Sequence, residues 1–298
     1  MRILLLLLMW EILLSNTTNK SLFGSGLSTN SLGGNYIMLR KHVSALIVAL
    51  FFCGNHLYGQ ETAEALIKKG DQYHGAGKLQ ASLETFLKAN EISPENSEII
   101  WRIARAYSSL GDEEKSQDNR EKARGLYQKA EKYARSGVKI NPNHSFCHTY
   151  IGVAVGNIAL TESSKKKVQL SVVVKNEVMK AIELDDKNDT AHHLLARWHR
   201  GVANLSWIER GFAKIFYGGL PSASHEEAIE HFKEAVKILP TYINHHLELA
   251  RTYQEIKKWE LAMDELNIIE ELEAKSDKDR RYKNEANQLR IIVEKKLK

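Results

Sequence analysis

The stretch AEALIKKGDQYHGAGKLQASLETFLKANEISPEN, residues 63–96, decides the fold of this chain. In each of its halves apolar residues recur every three to four positions, which is the pattern of an amphipathic helix. A turn at Gly77 separates the halves, and Pro94 follows the second one. Two antiparallel helices pack closely where small residues lie at their crossing, and Gly70 and Ala89 fit such positions. The segment therefore predicts a helical hairpin.

This hairpin resembles one tetratricopeptide repeat, with Tyr73 and Phe86 at the large positions of the template of about 34 residues. The small positions of the template return along the chain. They are occupied by Gly70, Ala104, Gly152, Ala196 and Ala250 in the first helices and by Ala89, Gly137, Ala181, Ala235 and Ile269 in the second helices. Nine of these ten residues are small, which predicts an all-α, tetratricopeptide-like α-solenoid of about five helix pairs.

The repeats are unequal in length. Pro94 and Pro142 are 48 residues apart, Pro142 and Asp186 are 44 apart, and Asp186 and Pro240 are 54 apart. A repeat of about 34 residues then needs insertions, which we expect to lengthen the connections between helices. The predicted repeat domain spans residues 60–276, in units 63–96, 97–144, 145–188, 189–242 and 243–276. The polar segment 277–298 predicts a C-terminal capping helix.

The N-terminal segment has the layout of a signal peptide. Arg40 and Lys41 precede a short apolar run, and Gly59 offers a small residue before a cut. Met38 lies directly before this block, so we interpret residues 1–37 as an over-extended start and residues 38–59 as a signal peptide. An uncleaved membrane anchor is the alternative reading. Cleavage predicts export to the periplasm or the exterior, whereas an intact leader predicts a membrane-anchored or cytoplasmic protein.

Composition and the absence of catalytic motifs argue against two classes of function, nucleic-acid binding and catalysis. The chain of 298 residues is 43% hydrophobic, so it is expected to fold. Residues 60–298 contain 38 Lys and Arg against 36 Asp and Glu, so no bulk charge excess favours nucleic-acid binding. The sequence contains no Gly-rich phosphate loop, no Gly-x-Ser-x-Gly elbow and no His-Glu-x-x-His motif. We therefore expect no enzymatic activity and no cofactor.

Histidines are frequent, and some lie four or seven positions apart, as a metal site on one helix face needs. They recur near the starts of first helices without a repeating acidic or cysteine partner. We therefore expect no bound metal.

Arginines mark the predicted concave face of the solenoid. Positions spaced i, i+4, i+7 on each first helix, opposite the core, define a stripe that carries four arginines and, after the first repeat, no acid. Guanidinium groups pair with carboxylates, so this stripe predicts a groove for an acidic partner segment. The candidate binding residues are Trp101, Arg105, His193, Arg197, Arg200 and Arg251. The alternative is that acidic residues of the same chain neutralise these arginines, so that they bind no partner.

An apolar insertion offers a second candidate surface. Trp207, Ile208, Phe212 and Phe216 fall at helical spacing before a Gly-Gly-Leu-Pro break. This segment either packs under the repeats or forms the wall of a lipid or amphiphile site, in which the arginines would meet the head group.

Beyond the generic repeat, the chain resembles the regulator of microtubule dynamics family. The resemblance rests on WRIARAY at 101–107, KAIELDDKNDTAHHLLARW at 180–198 and WIERGFAKIFYGGLPSASHEEAIEHFKEA at 207–235. It implies a non-enzymatic, protein-binding helical scaffold and, for eukaryotic members, association with microtubules, whose tubulin tails are acidic. An exported protein would meet a different acidic partner.

Overall fold

The computed structural model describes residues 61–205, 210–211, 214–215 and 222–298, and all regular elements in this part of the chain are α-helices. The helices are α1 (Ala63–Gly75), α2 (Leu79–Ile92), α3 (Ser97–Ser116), α4 (Arg120–Ile140), α5 (Ser145–Ala159), α6 (Ser164–Leu184), α7 (Asp189–Ala203), α8 (His225–Ile238), α9 (Ile243–Glu255), α10 (Trp259–Glu271) and α11 (Asp277–Leu297). They form five antiparallel pairs followed by one single helix, which confirms the predicted fold class.

The helices lie in two layers. Successive first helices contact one another, from α3 to α5, α7, α9 and finally α11, whereas the second helices α2, α4, α6, α8 and α10 pack mainly against first helices. Helix α11 therefore takes the place of a sixth first helix and covers the end of the last pair. The first helices form the inner, concave layer and the second helices form the outer layer.

Small residues let the layers approach each other, as the repeat pattern predicts. Ala104, Ala196 and Ala250 have no exposed surface. A Cβ atom on Gly152 would lie only 2.7 Å from Cγ2 of Val178, so α5 and α6 could not keep their separation with a larger residue at this position.

Three of the hairpins share one turn. Gly77, Asp118 and Lys257 all have a positive φ, between 60° and 72°. In each case the next N–H donates to the carbonyl five residues before it, at 2.9 Å, as from Lys78 to Tyr73. This is the Schellman arrangement that closes a helix C-terminus, and it reverses the chain within a few residues.

The insertions in the second and third repeats lengthen helices, and our expectation of lengthened connections is wrong there. Helices α3, α4 and α6 have 20, 21 and 21 residues, against 13 and 14 in α1 and α2. Continuing a helix satisfies each added backbone group within the same helix, whereas a longer loop must find other partners. In the fourth repeat the insertion does lie between helices. Helix α8, which follows the insertion, begins with a capping box, because Ser224 Oγ accepts a hydrogen bond from the N–H of Glu227 at 3.1 Å.

Within the described residues, no helix is both long enough and apolar enough to cross a bilayer. The leader segments 1–37 and 38–59 lie outside the part of the chain that the structure describes.

Candidate functional site

The concave face contains the four arginines of the predicted stripe, and the structure gives three of them partners within the chain. Arg105 on α3 forms an ion pair with Asp71 on α1. Arg102 also reaches Asp71, at 2.9 Å, and Glu98, at 2.7 Å. The guanidinium of Arg105 further lies 4.9 Å from the centroid of the Trp101 ring. Arg105 is thus held between a carboxylate and an aromatic ring.

Arg200 and Arg251 share a second acid. Glu248 on α9 forms an ion pair with Arg200 on α7 and lies 2.6 Å from Nη1 of Arg251. Arg251 also pairs with Glu285 on α11. Glu248 is only 6% exposed, and burial alone would raise its pKa. The nearby arginine charges, that of Arg200 foremost, instead hold the pKa of Glu248 below its usual value.

Arg197 differs from the other three arginines. It is exposed, and within the described residues it forms no ion pair. Its charge acts on the pKa of groups in three repeats, among them Lys115 on α3, His193 on α7 and Glu248 on α9. Arg197 therefore faces the shared concave space and is the stripe arginine that remains available to a ligand.

Trp101 and His193, the two ring-bearing candidates, are buried. Trp101 is 6% exposed, donates from Nε1 to Glu98 at 2.9 Å and stacks on Phe146 with ring centroids 4.5 Å apart. His193 is 8% exposed, and its Nδ1 lies 2.9 Å from Nδ1 of His245. Both rings pack within the helix layers and leave little surface for a ligand, and their contact with a ligand stays a prediction.

The concave space is also bridged by residues that the sequence analysis missed. Lys278 on α11 lies 3.2 Å from Asp112 on α3, although the two are 166 residues apart. Tyr127 donates to the same carboxylate at 2.9 Å. A Cβ atom on Gly77, in the first turn, would lie 3.6 Å from Cβ of Ser276. The start of α11 thus touches the first two repeats. No stripe of a single helix could have indicated this contact.

Acidic partners of the arginines were missed for a similar reason. Glu248 lies three positions before the stripe residue Arg251, and it reaches Arg200 only because α7 and α9 lie side by side. The stripe was defined by the same repeat positions in every first helix. Including the positions next to these in the adjacent first helix could have identified Glu248 as a partner of Arg200.

Within the described residues, no group of three or more His, Cys, Asp or Glu side chains could hold a metal ion. The buried thiol of Cys147 has its pKa raised to about 12 by burial, so it stays protonated and unreactive. The arrangement offers charge and hydrogen bonds for binding.

The apolar insertion is described only at four positions, 210, 211, 214 and 215. Arg210 donates to the carbonyls of Val202 and Ala203, at 3.3 and 2.8 Å, and so places a cation at the C-terminus of α7. The candidate residues Trp207, Ile208, Phe212 and Phe216 lie outside the described residues.

Comparison with known proteins places these features in a family. The family model described as "Regulator of microtubule dynamics protein 1-3" matches residues 66–292. Regulator of microtubule dynamics protein 1 of Bos taurus is 26% identical over 227 residues, which cover 76% of this chain and 70% of that protein. Regulator of microtubule dynamics protein 3 of Mus musculus is 27% identical over 239 residues, or 79% of this chain and 50% of that protein.

Among solved structures, a thermophilic TPR protein of Thermus thermophilus matches with a TM-score of 0.55 at 14% identity. The match covers 79% of this chain and 99% of that protein. At this identity the likeness shows the fold alone.

Proposed function

The chain belongs to the regulator of microtubule dynamics family, and from this premise we propose that it is a non-enzymatic scaffold that holds an acidic segment of a protein partner. The proposed site is the concave face around Arg197. The family supports a protein-binding scaffold in general, and the charges of the concave face support the acidic chemistry of the partner.

The exposed guanidinium of Arg197 is the observation that carries this proposal. Partial dehydration lowers the pKa of the Lys115 ammonium, and the charge of Arg197 lowers it further, against the opposing effect of Asp112. Two cations that repel each other in this way are stabilised by an anion between them. A carboxylate of a partner supplies that anion, and a bidentate pair with Arg197 gives it a fixed orientation.

The paired arginines have a supporting role in this proposal. Arg105, Arg200 and Arg251 are held by Asp71, Glu248 and Glu285, so their side chains are ordered before a partner arrives. A partner therefore loses little entropy in ordering this surface, and binding should depend on salt because the contact is electrostatic.

The relatives are named for microtubule dynamics, and acidic tubulin tails are candidate partners for this chain if it is cytoplasmic. We propose export as its location, because residues 38–59 have the layout of a cleavable signal. An exported protein would take another acidic segment into the same groove.

A labelled peptide of ten glutamates tests the groove. Its binding to the chain expressed from Met38 is followed by fluorescence anisotropy at about 50 mM and about 300 mM NaCl, which changes the screening length. We expect binding at the lower salt concentration and a loss of about tenfold or more in the Arg197→Glu variant, with unchanged helical content.

The matched control is Lys233→Glu, which makes the same charge change at an exposed position of the outer helix α8. It should bind as the unmodified chain does. Equal binding by Arg197→Glu and the unmodified chain would remove the groove proposal.

The alternative function is a lipid or amphiphile carrier with Trp207, Ile208, Phe212 and Phe216 as an apolar wall, and it rests on their helical spacing in the sequence. Native mass spectrometry of the gently purified protein separates the two functions. A bound lipid that stays at high salt supports the carrier, and a ligand-free mass supports the scaffold. The same spectrum shows whether the chain begins near Gln60, as export requires.

A further inference from the structure

The outer helices divide sharply by charge. Helix α4 contains seven Lys and Arg against two Glu, and α6 contains five Lys against two Glu. In the outer helices of the last two pairs, acidic residues outnumber basic ones. Helix α8 contains two Lys against four Glu, and α10 contains five Asp and Glu and no Lys or Arg. A nearly neutral repeat domain thus carries two large outer faces of opposite sign.

We define these faces by exposed side chains. The basic face comprises Lys132, Arg135 and Lys139 of α4 with Lys166 and Lys167 of α6. The acidic face comprises Glu260, Asp264, Glu270 and Glu271 of α10 with Glu226 and Glu230 of α8.

Helix stability does not explain this placement. The first turn of α6 contains no acid and includes lysines, although the N-terminus of a helix carries partial positive charge. The last turn of α10 contains no base and ends in Glu270 and Glu271, although a helix C-terminus carries partial negative charge. Helix α6 therefore carries its first-turn lysines against its own dipole. At the end of α10, Lys283 of α11 donates to the carbonyl of Glu270 and Arg290 pairs with its carboxylate, which leaves Glu271 as the uncompensated acid of that turn.

Both faces also expose apolar side chains among the charges. Ile140 and Met179 on the basic side are 41% and 50% exposed, and Leu261 and Ile268 on the acidic side are both 42% exposed. Apolar residues surrounded by polar ones are the usual anatomy of a protein interface. Binding to a polyanion such as a nucleic acid depends on the lysines and arginines and gives these apolar residues no role.

We infer that the basic face of one copy binds the acidic face of a second copy. The two faces match in charge and in the presence of apolar residues, and they lie on different repeats of the same chain. Such a contact joins unlike surfaces, so it propagates head to tail. It uses the outer layer and leaves the concave face free, and it is therefore independent of the proposed function.

Sedimentation velocity of the full chain tests this inference. We expect the mean sedimentation coefficient to rise between about 10 and about 200 µM protein at about 50 mM NaCl, and to stay constant at about 500 mM NaCl, where surface charges are screened. A coefficient that does not depend on protein concentration at low salt would overturn the inference and leave the basic face to an acidic partner of another kind.

Charge reversal identifies the faces. We expect Lys132→Glu/Lys139→Glu and Asp264→Lys/Glu271→Lys each to remain monomeric, because each removes one half of the contact. An equal mixture of the two variants should associate head to tail as the unmodified chain does, with the two variants alternating, because each face of one variant then meets a face of opposite charge on the other. Continued association of either variant alone, or a monomeric mixture, would contradict the assigned faces.

The control variant is Lys68→Glu/Lys88→Glu, which changes the charge equally at exposed positions of the first repeat. It should associate as the unmodified chain does. Circular dichroism of all variants checks that the helices are intact.

Discussion

Three histidines of this protein each connect a helix to the turn before it and to the next helix. His148, His192 and His246 each lie six residues after Pro142, Asp186 or Pro240, and their Nε2 atoms lie 2.8, 3.1 and 2.9 Å from the carbonyl oxygens of those residues. In the third and fifth repeats Nδ1 lies 2.6 Å from a glutamate, Glu177 or Glu265. In the fourth repeat the partner is another histidine.

This difference makes the fourth repeat sensitive to acid. Nδ1 of His192 lies 3.0 Å from Nδ1 of His231, and one of the two nitrogens must be unprotonated to accept a hydrogen bond. Burial, followed by the charges that His192 and His199 would carry, lowers the pKa of His231 to about 4. Because its unfolded pKa is about 6.5, the unfolded chain binds more protons between these values.

Stability should therefore fall as the pH falls from about 7 to about 5, with His231 contributing about 1–2 kcal/mol. The lowered pKa values of His193 and His199 act in the same direction, as does that of His74 in the first repeat, which burial lowers to about 3. His148 has its pKa raised by the Glu177 hydrogen bond, so protonation favours its folded form and partly offsets the loss.

Thermal unfolding at the two pH values checks this expectation. The His231→Gln variant should have a melting temperature that depends less on pH than that of the unmodified chain. An equally steep dependence in the variant would show that another group titrates.

Asn188 links three helices through one side chain. It has no exposed surface, and its Oδ1 accepts from the N–H of Ala191 at 3.0 Å, which caps α7. Its Nδ2 donates to Ser145 at 2.8 Å and to Thr149 at 2.9 Å, both on α5. Ser145 in turn donates to the carbonyl of Ala181 on α6.

Replacing Asn188 with Ala should cost about 2–4 kcal/mol, because it removes the cap and leaves buried hydroxyl groups without a donor. Asn96, which caps α3 at an exposed position, is the control, and Asn96→Ala should cost about 1 kcal/mol. Urea unfolding measures both values. Equal costs for the two substitutions would mean that the contacts from Asn188 to α5 add nothing.

The pairing of the helices can be predicted from the sequence because it depends on one local rule, the small residues at helix crossings. Gly152 and Ala196 mark close helix crossings because only small residues fit there, and repeating this rule gives the five pairs. Helix lengths do not follow from it, since an insertion can extend α3 and α4 or lengthen the loop between them. The charges of the groove do not follow either. Whether Glu248 neutralises Arg200 depends on the side-by-side packing of two helices that are distant in sequence.

The curvature of the solenoid brings its two ends together. The ion pair of Lys278 with Asp112 and the proximity of Ser276 to Gly77 close the concave space on the side of α11. An acidic segment must then enter the concave space from the open edge formed by the helix ends, unless α11 moves away from the first two repeats. Burial would lower the pKa of Lys278, but Tyr242 and Asp112 hold it well above its usual value, so the charged ion pair favours the closed arrangement.

A disulfide between the two ends tests this closure. The Cβ atoms of a Gly77→Cys/Ser276→Cys variant would lie 3.6 Å apart, within the range of about 3.5–4.5 Å that disulfides use. A Cys at position 77 must adopt the positive φ that Asp118 and Lys257 adopt in the equivalent turns, so circular dichroism first checks that the variant is folded. In a Cys53→Ser background we then expect the pair to oxidise, with faster migration on a non-reducing gel. The buried Cys147 should not compete, because its pKa is raised to about 12.

The matched control is Gly75→Cys/Ser276→Cys, because a Cβ atom on Gly75 meets no other atom within 4 Å. It should stay reduced, and oxidation of both pairs or of neither would contradict the closed arrangement. The oxidised Gly77→Cys/Ser276→Cys protein then decides how a ligand enters. If the glutamate peptide binds it as well as it binds the reduced form, the segment enters at the rim. If binding is lost and returns on reduction, α11 must swing away from the first two repeats before Arg197 can be reached.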